Sequence, residues 1–468
     1  MIIMLINYYF LFIKQKIMSD KIKAGVDRII INPPLGTYLI GYANRKGGAK
    51  NIHDNLTATT LVLSENSENI FALVSLDLLA LNWEIVRRIK DRINETTKIP
   101  INNIRLFCSH THSGPVGWAH SKIKFKDRVS EFINKLKLLT VEPFKTKGIR
   151  SNKLYYDNLI NNLSDSVKHA LDSMVDVHIE HAKTDAEFSI NRRKHLNPDN
   201  CIDKEIHLIK FISGQKTIAS IINYACHNVA LGPNSNVISA DIAGEMRSRV
   251  EEKIGGKSLF IQGAAADINP NVEWGKNSIR DIEKIGKTIS DAVLSAAVSM
   301  KIVKSTPIKS VVDRVKAYID IPENIDNKEL KNIPKIMIDK QAKIPKWIVY
   351  PMLSIRFPWK TELLKDENGY YTPIDIGVLK IGDILITSIS MEPFAETGLE
   401  IKKYADFPIV IFAGYCDGLT GYLPTSKDSE IGGYEIELVP YFYKLPGPYK
   451  KNTEEVVVKR IKQLIQKL

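Results

Sequence analysis

One stretch anchors the interpretation of this sequence: Cys108-Ser109-His110-Thr111-His112-Ser113-Gly114-Pro115. The residues Asn103–Cys108 are predicted to form a short buried strand, which delivers the two histidines to a Ser-Gly-Pro turn. On an extended backbone the i, i+2 spacing places both imidazoles on one side. Because imidazole is the commonest protein ligand of transition metals, the pair indicates either a metal site or a hydrogen-bonded structural pair.

The composition is that of a globular protein with a mild basic excess. The chain has 468 residues, of which 44% are hydrophobic and 25% are charged. Its 65 Lys and Arg against 53 Asp and Glu give a net charge of +12, mostly from dispersed lysines. The sequence has no zinc-finger spacing and no aromatic-interleaved arginine stripe, so we expect no nucleic-acid partner. Peripheral contact with an anionic membrane surface fits the charge equally well.

The cysteines indicate a reducing compartment. The four of them are far apart and include no Cys-x-x-Cys pair, and two lie in apolar strand-like runs. They are Cys108, Cys201, Cys226 and Cys416. We therefore predict a cytoplasmic location.

Residues 1–17 are predicted to lie outside the fold. Met1–Ile13 is apolar but too short to span a bilayer, and it lacks the basic start and small-residue cleavage site of a signal peptide. The preferred interpretation is a misassigned start, with the protein beginning at Met18. A short membrane anchor is the alternative.

From residue 18 to 468 the pattern predicts one α/β domain with a mixed β-sheet core flanked by helices. Thr57–Ser64 and Ile70–Leu76 have the composition of buried strands, and Leu159–Asp176 carries an amphipathic helical stripe. Asp77, at the end of a strand, indicates either a site residue or a helix cap. Residues 325–370 mix tryptophans with lysines and are predicted to be an insertion, either buried helices of a subdomain or a membrane-surface lid.

Further polar residues follow predicted strands elsewhere in the chain. Two or more histidines and a carboxylate gathered from separate strand ends are typical of a catalytic zinc site with an open position. The candidates are His110, His112, His227, Asp267, Glu392 and Tyr422.

These residues lie in motifs whose order resembles that of the neutral/alkaline non-lysosomal ceramidases. The resemblance runs from about residue 23 to the C-terminus, and Ser109–Pro115 is its most specific part. The other matching segments are Ala24-Gly25-Val26, Ala266-Asp267-Ile268-Asn269-Pro270-Asn271, Met391-Glu392-Pro393-Phe394, Gly421-Tyr422-Leu423-Pro424-Thr425 and Gly432-Gly433-Tyr434-Glu435.

The resemblance implies a zinc-dependent amidase that hydrolyses the N-acyl bond of ceramide to sphingosine and a fatty acid. By matching position, the zinc ligands would be His110, His227, Glu392 and Tyr422. His112, Arg192 and Tyr434 would line the pocket. Asp267 would be the base that deprotonates the attacking water, and a further acid, Asp241, could orient a ligand imidazole.

Two departures from the family pattern refine this expectation. Asn269 stands where the family usually carries serine, which leaves attack by a zinc-activated water but no serine acyl-enzyme route. Asn269 could donate to the oxyanion or hold the substrate amide, and His112 or Tyr434 could also donate to the oxyanion. The chain also resembles the family's catalytic domain alone, without the C-terminal immunoglobulin-like domain of its longer members.

We therefore predict a Zn²⁺-dependent hydrolase of the amide bond in an N-acylated lipid such as ceramide. The alternatives are a zinc hydrolase of another ester or a small N-acyl amide, and a catalytically inactive relative that binds lipid.

Overall fold

The computed structural model of the protein describes residues 22–42, 45, 47–66, 68–115, 146–273, 276, 278–321 and 361–468. The predicted extension 1–17 and residues 325–360 of the predicted insertion lie outside these ranges. No helix among the described residues is long and apolar enough to cross a membrane.

The described residues form twenty strands. They are β1 (Ile22–Ile30), β2 (Asn51–Ile52), β3 (Thr57–Ser64), β4 (Ile70–Leu76), β5 (Ile104–Cys108), β6 (Val175–Asp185), β7 (Ser189–Asn191), β8 (Glu205–Ser213), β9 (Lys216–Tyr224), β10 (Val237–Ile238), β11 (Lys257–Gln262), β12 (Ile268–Pro270), β13 (Lys301–Val303), β14 (Ile308–Tyr318), β15 (Leu364–Asp366), β16 (Gly369–Ile381), β17 (Ile384–Ile389), β18 (Glu392–Pro393), β19 (Ile409–Ala413) and β20 (Tyr422–Leu423).

The helices lie between groups of strands and cluster near the C-terminus. They are α1 (Trp83–Thr97), α2 (Thr146–Asp172), α3 (Asp241–Ile254), α4 (Ile279–Ala296), α5 (Ala395–Tyr404), α6 (Ser426–Ile431), α7 (Tyr434–Glu437), α8 (Val439–Phe442) and α9 (Thr453–Ile465).

Two mixed sheets form the centre of the molecule. The larger has nine strands in the order β11-β9-β8-β6-β1-β3-β4-β5, with β13 added beside β6. The smaller has the order β14-β16-β17-β19, with β15 beside β16. In the larger sheet β4 and β5 are parallel, as are β9 and β11, and in the smaller sheet β17 and β19 are parallel.

The fold has four layers, in the order helices, larger sheet, smaller sheet and helices, and buried apolar side chains pack between them. One core lies between the two sheets, where Phe107 and Ile221 meet Leu379 and Ile411. The outer face of the larger sheet is covered by α1 and α2 at one end and by α3 and α4 at the other. The outer face of the smaller sheet is covered by α5 and α9. The predicted α/β class, a mixed sheet core flanked by helices, is confirmed, although the core holds two sheets rather than one.

Two local predictions need correction. The predicted helix Leu159–Asp176 begins at Thr146 and ends at Asp172, because Val175 already belongs to β6. Asp77 neither caps α1 nor joins the site. Its buried carboxylate accepts from Arg247 Nη2 at 2.6 Å, while Asn82 caps α1.

Candidate metal centre

The predicted histidines converge because the ends of β5 and β9 are joined by backbone and side-chain contacts. Thr111 and Asn228, which follow these strands, form a parallel β-bridge. Between the strands, the amide nitrogen of Gln262 donates to the carbonyls of Cys226 at 2.7 Å and Ser109 at 3.3 Å. His110 and His227 therefore emerge side by side at the carboxyl ends of their strands.

Three imidazoles and one carboxylate form a compact buried cluster. The ligating atoms of His110, His112 and His227 lie within 4.8 Å of one another. Oε2 of Glu392 lies 3.3 Å from Nε2 of His110 and 3.6 Å from Nε2 of His227. The side chains of His110, His227 and Glu392 are each 2% exposed.

His112 lies closer to the predicted ligands than a pocket-lining role requires. Its Nε2 is 3.3 Å from Nε2 of His110, and the two rings meet edge to face. Its side chain therefore belongs to the cluster itself.

Backbone carbonyls orient the two central imidazoles. Nδ1 of His110 is 2.9 Å from the carbonyl of Leu79, and Nδ1 of His227 is 2.6 Å from the carbonyl of Ala265. Each carbonyl accepts a hydrogen bond from the protonated Nδ1, which leaves Nε2 as the lone-pair atom facing the cluster. The prediction that Asp241 orients an imidazole is therefore wrong.

The carboxylate of Asp241 is instead held by backbone amides. It accepts from the N–H groups of Ala230 and Leu231, each at 3.0 Å, and from its own neighbour Ile242 at 2.9 Å.

Two residues of the centre have left-handed backbones. His110 has φ 61° and Tyr415 has φ 55°, and their rings are in contact, tilted by 40° with centroids 4.3 Å apart. Such a conformation costs a non-glycine residue on the order of 1–3 kcal/mol and persists only where the surrounding structure enforces it. The turn after β5 thus uses strain to present His110.

The ionisation states match those of metal ligands. Burial, reinforced by the neighbouring imidazoles, lowers the pKa of His112 well below its usual value and that of His227 to about 4. Burial raises the pKa of Glu392, but His110 and His227 outweigh it and hold that pKa well below its ordinary range. Neutral imidazoles beside an ionised carboxylate are the forms that bind a metal.

Two polar atoms of the cluster are placed as metal ligands would be. Nε2 of His227 and Oε2 of Glu392 are buried and make no hydrogen bond within the described part of the chain. A buried polar atom without a hydrogen-bond partner is costly, and a metal ion between these two atoms would remove that cost. The centre could therefore hold a metal ion.

Tyr422 and Arg192 lie on the Glu392 side of the centre. Glu392 pairs with Tyr422 in the parallel ladder of β18 and β20. Nη2 of Arg192 donates to the Tyr422 hydroxyl at 3.3 Å and pairs with Glu435 at 2.9 Å. Tyr434, the third predicted pocket residue, is half-exposed and begins α7.

Asp267 and Asn269 sit on the segment that connects these parts. The carbonyl of Asp267 accepts from the N–H of Arg192 at 2.9 Å, and that of Ile268 accepts from the N–H of His227 at 2.9 Å. Both carboxylate oxygens of Asp267 are engaged, Oδ1 by the N–H of Ala395 and Oδ2 by the side-chain amide of Asn191. Oδ1 of Asn269 is buried and makes no hydrogen bond within the described ranges.

Two residues near the centre are not among those predicted from the sequence. Tyr443 donates to Oε1 of Glu392, and Glu435 bridges Arg192 and Arg193. Glu435 belongs to the Gly432-Gly433-Tyr434-Glu435 motif, so its position next to Tyr434 could have indicated a role near the pocket. Tyr443 belongs to none of the family motifs, and 51 positions separate it from Glu392.

Comparison with solved structures places the fold. The crystal structure of neutral ceramidase from Pseudomonas aeruginosa superimposes with a TM-score of 0.69 at 17% sequence identity, covering 95% of this chain and 74% of that one. A ceramidase complexed with C2 matches equally well, with a TM-score of 0.69 at 16% identity over the same shares of the two chains.

Sequence comparison extends this likeness to eukaryotic relatives. The neutral ceramidase of Drosophila pseudoobscura pseudoobscura is 24% identical over 287 residues, which is 56% of this chain and 38% of the relative. Neutral ceramidase 2 of Arabidopsis thaliana is 24% identical over 241 residues, or 48% of this chain and 29% of the relative. The matched segments thus span well under half the length of these relatives.

The family is decided by the match to a sequence profile. The profile described as neutral/alkaline non-lysosomal ceramidase, N-terminal, matches residues 25–288, which is more than half of the chain. This range contains the Ser109–Pro115 stretch, His227 and Asp267. The chain therefore belongs to the neutral/alkaline non-lysosomal ceramidase family.

Proposed function

We propose that this protein is a zinc-dependent hydrolase that cleaves the amide bond of an N-acylated sphingolipid such as ceramide, releasing a fatty acid and an amine. The observation that carries the proposal is the buried cluster of His110, His227 and Glu392, in which Nε2 of His227 and Oε2 of Glu392 lack partners in the described part of the chain. Family membership supports the choice of substrate class.

The proposed zinc ligands are His110, His227, Glu392 and Tyr422. Imidazole nitrogen and carboxylate oxygen are ordinary zinc ligands. His112, within 4.8 Å of the other imidazoles, lies close enough to contact either the ion or the substrate. When bound, Zn²⁺ polarises a carbonyl oxygen and promotes the ionisation of water.

The chain's own residues supply the remaining roles. Arg192, Tyr434 and Asn269 are proposed to hold the substrate, and His112 and Asn269 to donate to the oxyanion. Asp267 is the proposed base, since burial raises its pKa to about 6, near the value that suits proton transfer at neutral pH.

The proposed setting is a single catalytic domain in the cytoplasm that acts on a lipid-like substrate and contacts membranes only peripherally. The free state of Cys108, Cys201, Cys226 and Cys416 supports the reducing compartment. The net charge of +12 suits contact with an anionic lipid surface.

The proposal is tested by measuring metal and hydrolysis together. The purified protein should contain about one zinc per chain by elemental analysis and should release laurate from N-lauroylsphingosine. His227→Ala should lose both the zinc and the activity. The control is His181→Ala, which removes a histidine from β6, away from the cluster.

The alternatives have distinct outcomes. Release of laurate from a lauroyl ester or from N-lauroyl ethylamine, but not from N-lauroylsphingosine, would indicate a different hydrolase on the same centre. Binding of N-lauroylsphingosine without cleavage by the zinc-loaded protein would indicate a lipid-binding relative.

A further inference from the structure

Residues Leu39–Gly41 lie ahead of β2 and form a wall of the metal centre beside His112. The N–H of Ile40 donates to the carbonyl of Gly114 at 3.0 Å, and Leu39 forms an antiparallel bridge with Pro115. A Cβ atom on Gly41 would lie 2.4 Å from the His112 imidazole, so the wall touches that ring directly. Side chains that contact these residues therefore lie close to His112.

The guanidinium of Arg45 contacts this wall and is held in one orientation. Nη1 donates to the carbonyl of His112 at 2.7 Å and to that of Ile40 at 3.2 Å. The guanidinium also lies over the Tyr42 ring, 4.8 Å from its centroid, and that ring lies 5.0 Å from the His112 ring. Three contacts therefore hold one orientation of the side chain.

The other edge of the guanidinium has no hydrogen-bond partner among the residues that the structure describes. Nε and Nη2 of Arg45 are buried and make no hydrogen bond to any residue in the described ranges. These two atoms form the edge that presents parallel N–H groups to the two oxygens of a carboxylate. The contacts through Nη1 leave that edge free while they anchor the opposite end.

Four other buried or partly buried arginines of the described chain have a carboxylate partner. The pairs are Arg28 with Glu251, Arg192 with Glu435, Arg193 with Asp428 and Arg247 with Asp77. Arg45 has none among the described residues, and the acid that interacts with it through charge, Asp241, already accepts from three backbone amides. Burial lowers the pKa of Arg45 to about 10, which still leaves it charged at neutral pH.

We propose that the Nε and Nη2 edge of Arg45 binds the carboxylate of a ligand held at the metal centre. The physical reason is that buried N–H groups of a partly buried cation are costly without an acceptor, and a carboxylate matches this edge in both shape and charge. The inference rests on the proposed function for the nature of that ligand. An N-acyl substrate offers two sources of a carboxylate, an acidic amine half or the fatty acid that hydrolysis releases.

The test measures binding rather than turnover, with ligands that contain no N-acyl bond. The first pair is N-dodecylsulfonylglycine and its glycinamide, which represent an acidic and a neutral amine half. The second pair is laurate and 1-dodecanol, which represent the acyl half. Affinities for the zinc-loaded protein are measured by titration calorimetry.

In at least one pair, the wild-type protein should bind the acid about tenfold to a hundredfold more tightly than its neutral match, as expected for hydrogen bonds to a charged group. Arg45→Met should abolish this preference. Arg45→Lys keeps the charge without the paired N–H groups and should restore only part of it. The control is Lys50→Met, which removes an exposed cation close in sequence and should leave the preference intact.

The pair that depends on Arg45 identifies the source of the carboxylate. An equal affinity of the wild type for both members of both pairs would overturn the inference, as would a result in which every acid preference of the wild type survives in Arg45→Met. Hydrolysis of N-lauroylsphingosine together with either result leaves the proposed function standing. An acid preference that depends on Arg45, in a protein that hydrolyses no N-acyl bond, would instead refute the proposed function alone.

Discussion

The phenol of Tyr443 donates a hydrogen bond to Oε1 of Glu392 over 2.5 Å, while Oε2 of the same carboxylate lies 3.3 Å from Nε2 of His110. One oxygen is held from outside the centre and the other faces the imidazoles. Contacts of this kind fix the orientation of a ligand before the metal arrives. Tyr443, which lies just after α8, therefore helps to hold Glu392 in place in the proposed metal site.

The first prediction is that Tyr443→Phe weakens metal binding. The substitution removes the hydroxyl and leaves the ring, so Glu392 loses its outer hydrogen bond. Zinc affinity should fall about tenfold to a hundredfold in competition with a chromophoric chelator. The matched control is Tyr449→Phe, whose hydroxyl donates at 2.6 Å to the backbone carbonyl of Thr420. Equal affinities in the two variants would show that the Tyr443 contact does not support the site.

The second prediction concerns Glu435 as a positioning residue. Its carboxylate pairs with Arg192 at 2.9 Å and with Arg193 at 2.6 Å, and it is buried. Glu435→Gln removes the charge that holds Arg192, so the KM for N-lauroylsphingosine should rise about tenfold, with a smaller change in kcat.

The control for this prediction separates positioning from stability. Asp428→Asn breaks a contact of Arg193 at 3.2 Å but none of Arg192. Both variants should lower the free energy of unfolding, because each leaves a buried guanidinium short of a partner. A rise in KM of the same size in both variants would mean that Glu435 acts only through the stability of the loop.

Local signals were enough to predict much of the fold and of the centre. Alternating and continuous apolar runs marked β3 and β4 with the correct bounds, because both strands are buried almost throughout. The imidazoles of His110 and His112 are neighbours as predicted, with their Nε2 atoms 3.3 Å apart. The reason differs from the extended backbone that was expected, because β5 ends at Cys108 and His110 has a left-handed backbone.

Contacts between distant segments could not be predicted in the same way. The two stacked sheets arise because the apolar faces of strands far apart in sequence meet in one core, and no local pattern states that pairing. The backbone carbonyls of Leu79 and Ala265 orient the imidazoles. Because every residue has a backbone carbonyl, the residue types at these positions do not indicate this role. Arg45 was passed over for a related reason, since a buried arginine cannot be told from an exposed one in a glycine-rich loop.

The third prediction is a pH dependence of stability from a histidine pair outside the centre. Nε2 of His181 lies 3.1 Å from Nδ1 of His207, with the rings stacked. Burial, with His207 nearby, lowers the pKa of His181 to about 4. Because the folded state prefers the neutral imidazole, the unfolded state binds more protons between about pH 6.5 and 4, and the free energy of unfolding falls as the pH is lowered through that window.

Urea unfolding at about pH 7 and pH 4.5 measures this effect. After allowance for partial exposure of His181, the wild type should lose about 1–2 kcal/mol more than His181→Gln, which cannot take up the proton. A loss of equal size in the two proteins would exclude His181 as the cause.

The fourth prediction concerns Asn269, whose buried Oδ1 has no partner in the described part of the chain. If this side chain contacts the reacting amide, Asn269→Ala should lower kcat/KM for N-lauroylsphingosine about 10²-fold. Asn269→Ser, which restores the residue that the family usually carries, should keep or raise activity because a hydroxyl can also donate. Activity confined to Asn269→Ser would mean that the natural chain binds its substrate without cleaving it.

The fifth prediction separates two roles of Asp267. Its carboxylate accepts from the N–H of Ala395 at 2.9 Å and from the amide of Asn191 at 2.5 Å, so it anchors the start of α5 as well as serving as the proposed base. Asp267→Asn keeps only one acceptor oxygen and should lower the free energy of unfolding by about 1–3 kcal/mol. If Asp267 is also the base for the attacking water, kcat should fall by about 10²- to 10⁴-fold while zinc stays bound.

The matched variant is Asn191→Ala, which removes the hydrogen bond to Asp267 and keeps the carboxylate, and which also removes contacts with the carbonyl of Cys201 and the N–H of Arg193. It should lower stability by at least a similar amount, since buried polar groups lose their partners, but it should reduce kcat far less than Asp267→Asn does. Measuring zinc content, urea unfolding and kcat on both variants separates the effects. An equal fall of kcat in the two would show that Asp267 acts through the scaffold alone, and the base would then have to be sought among the other residues of the centre.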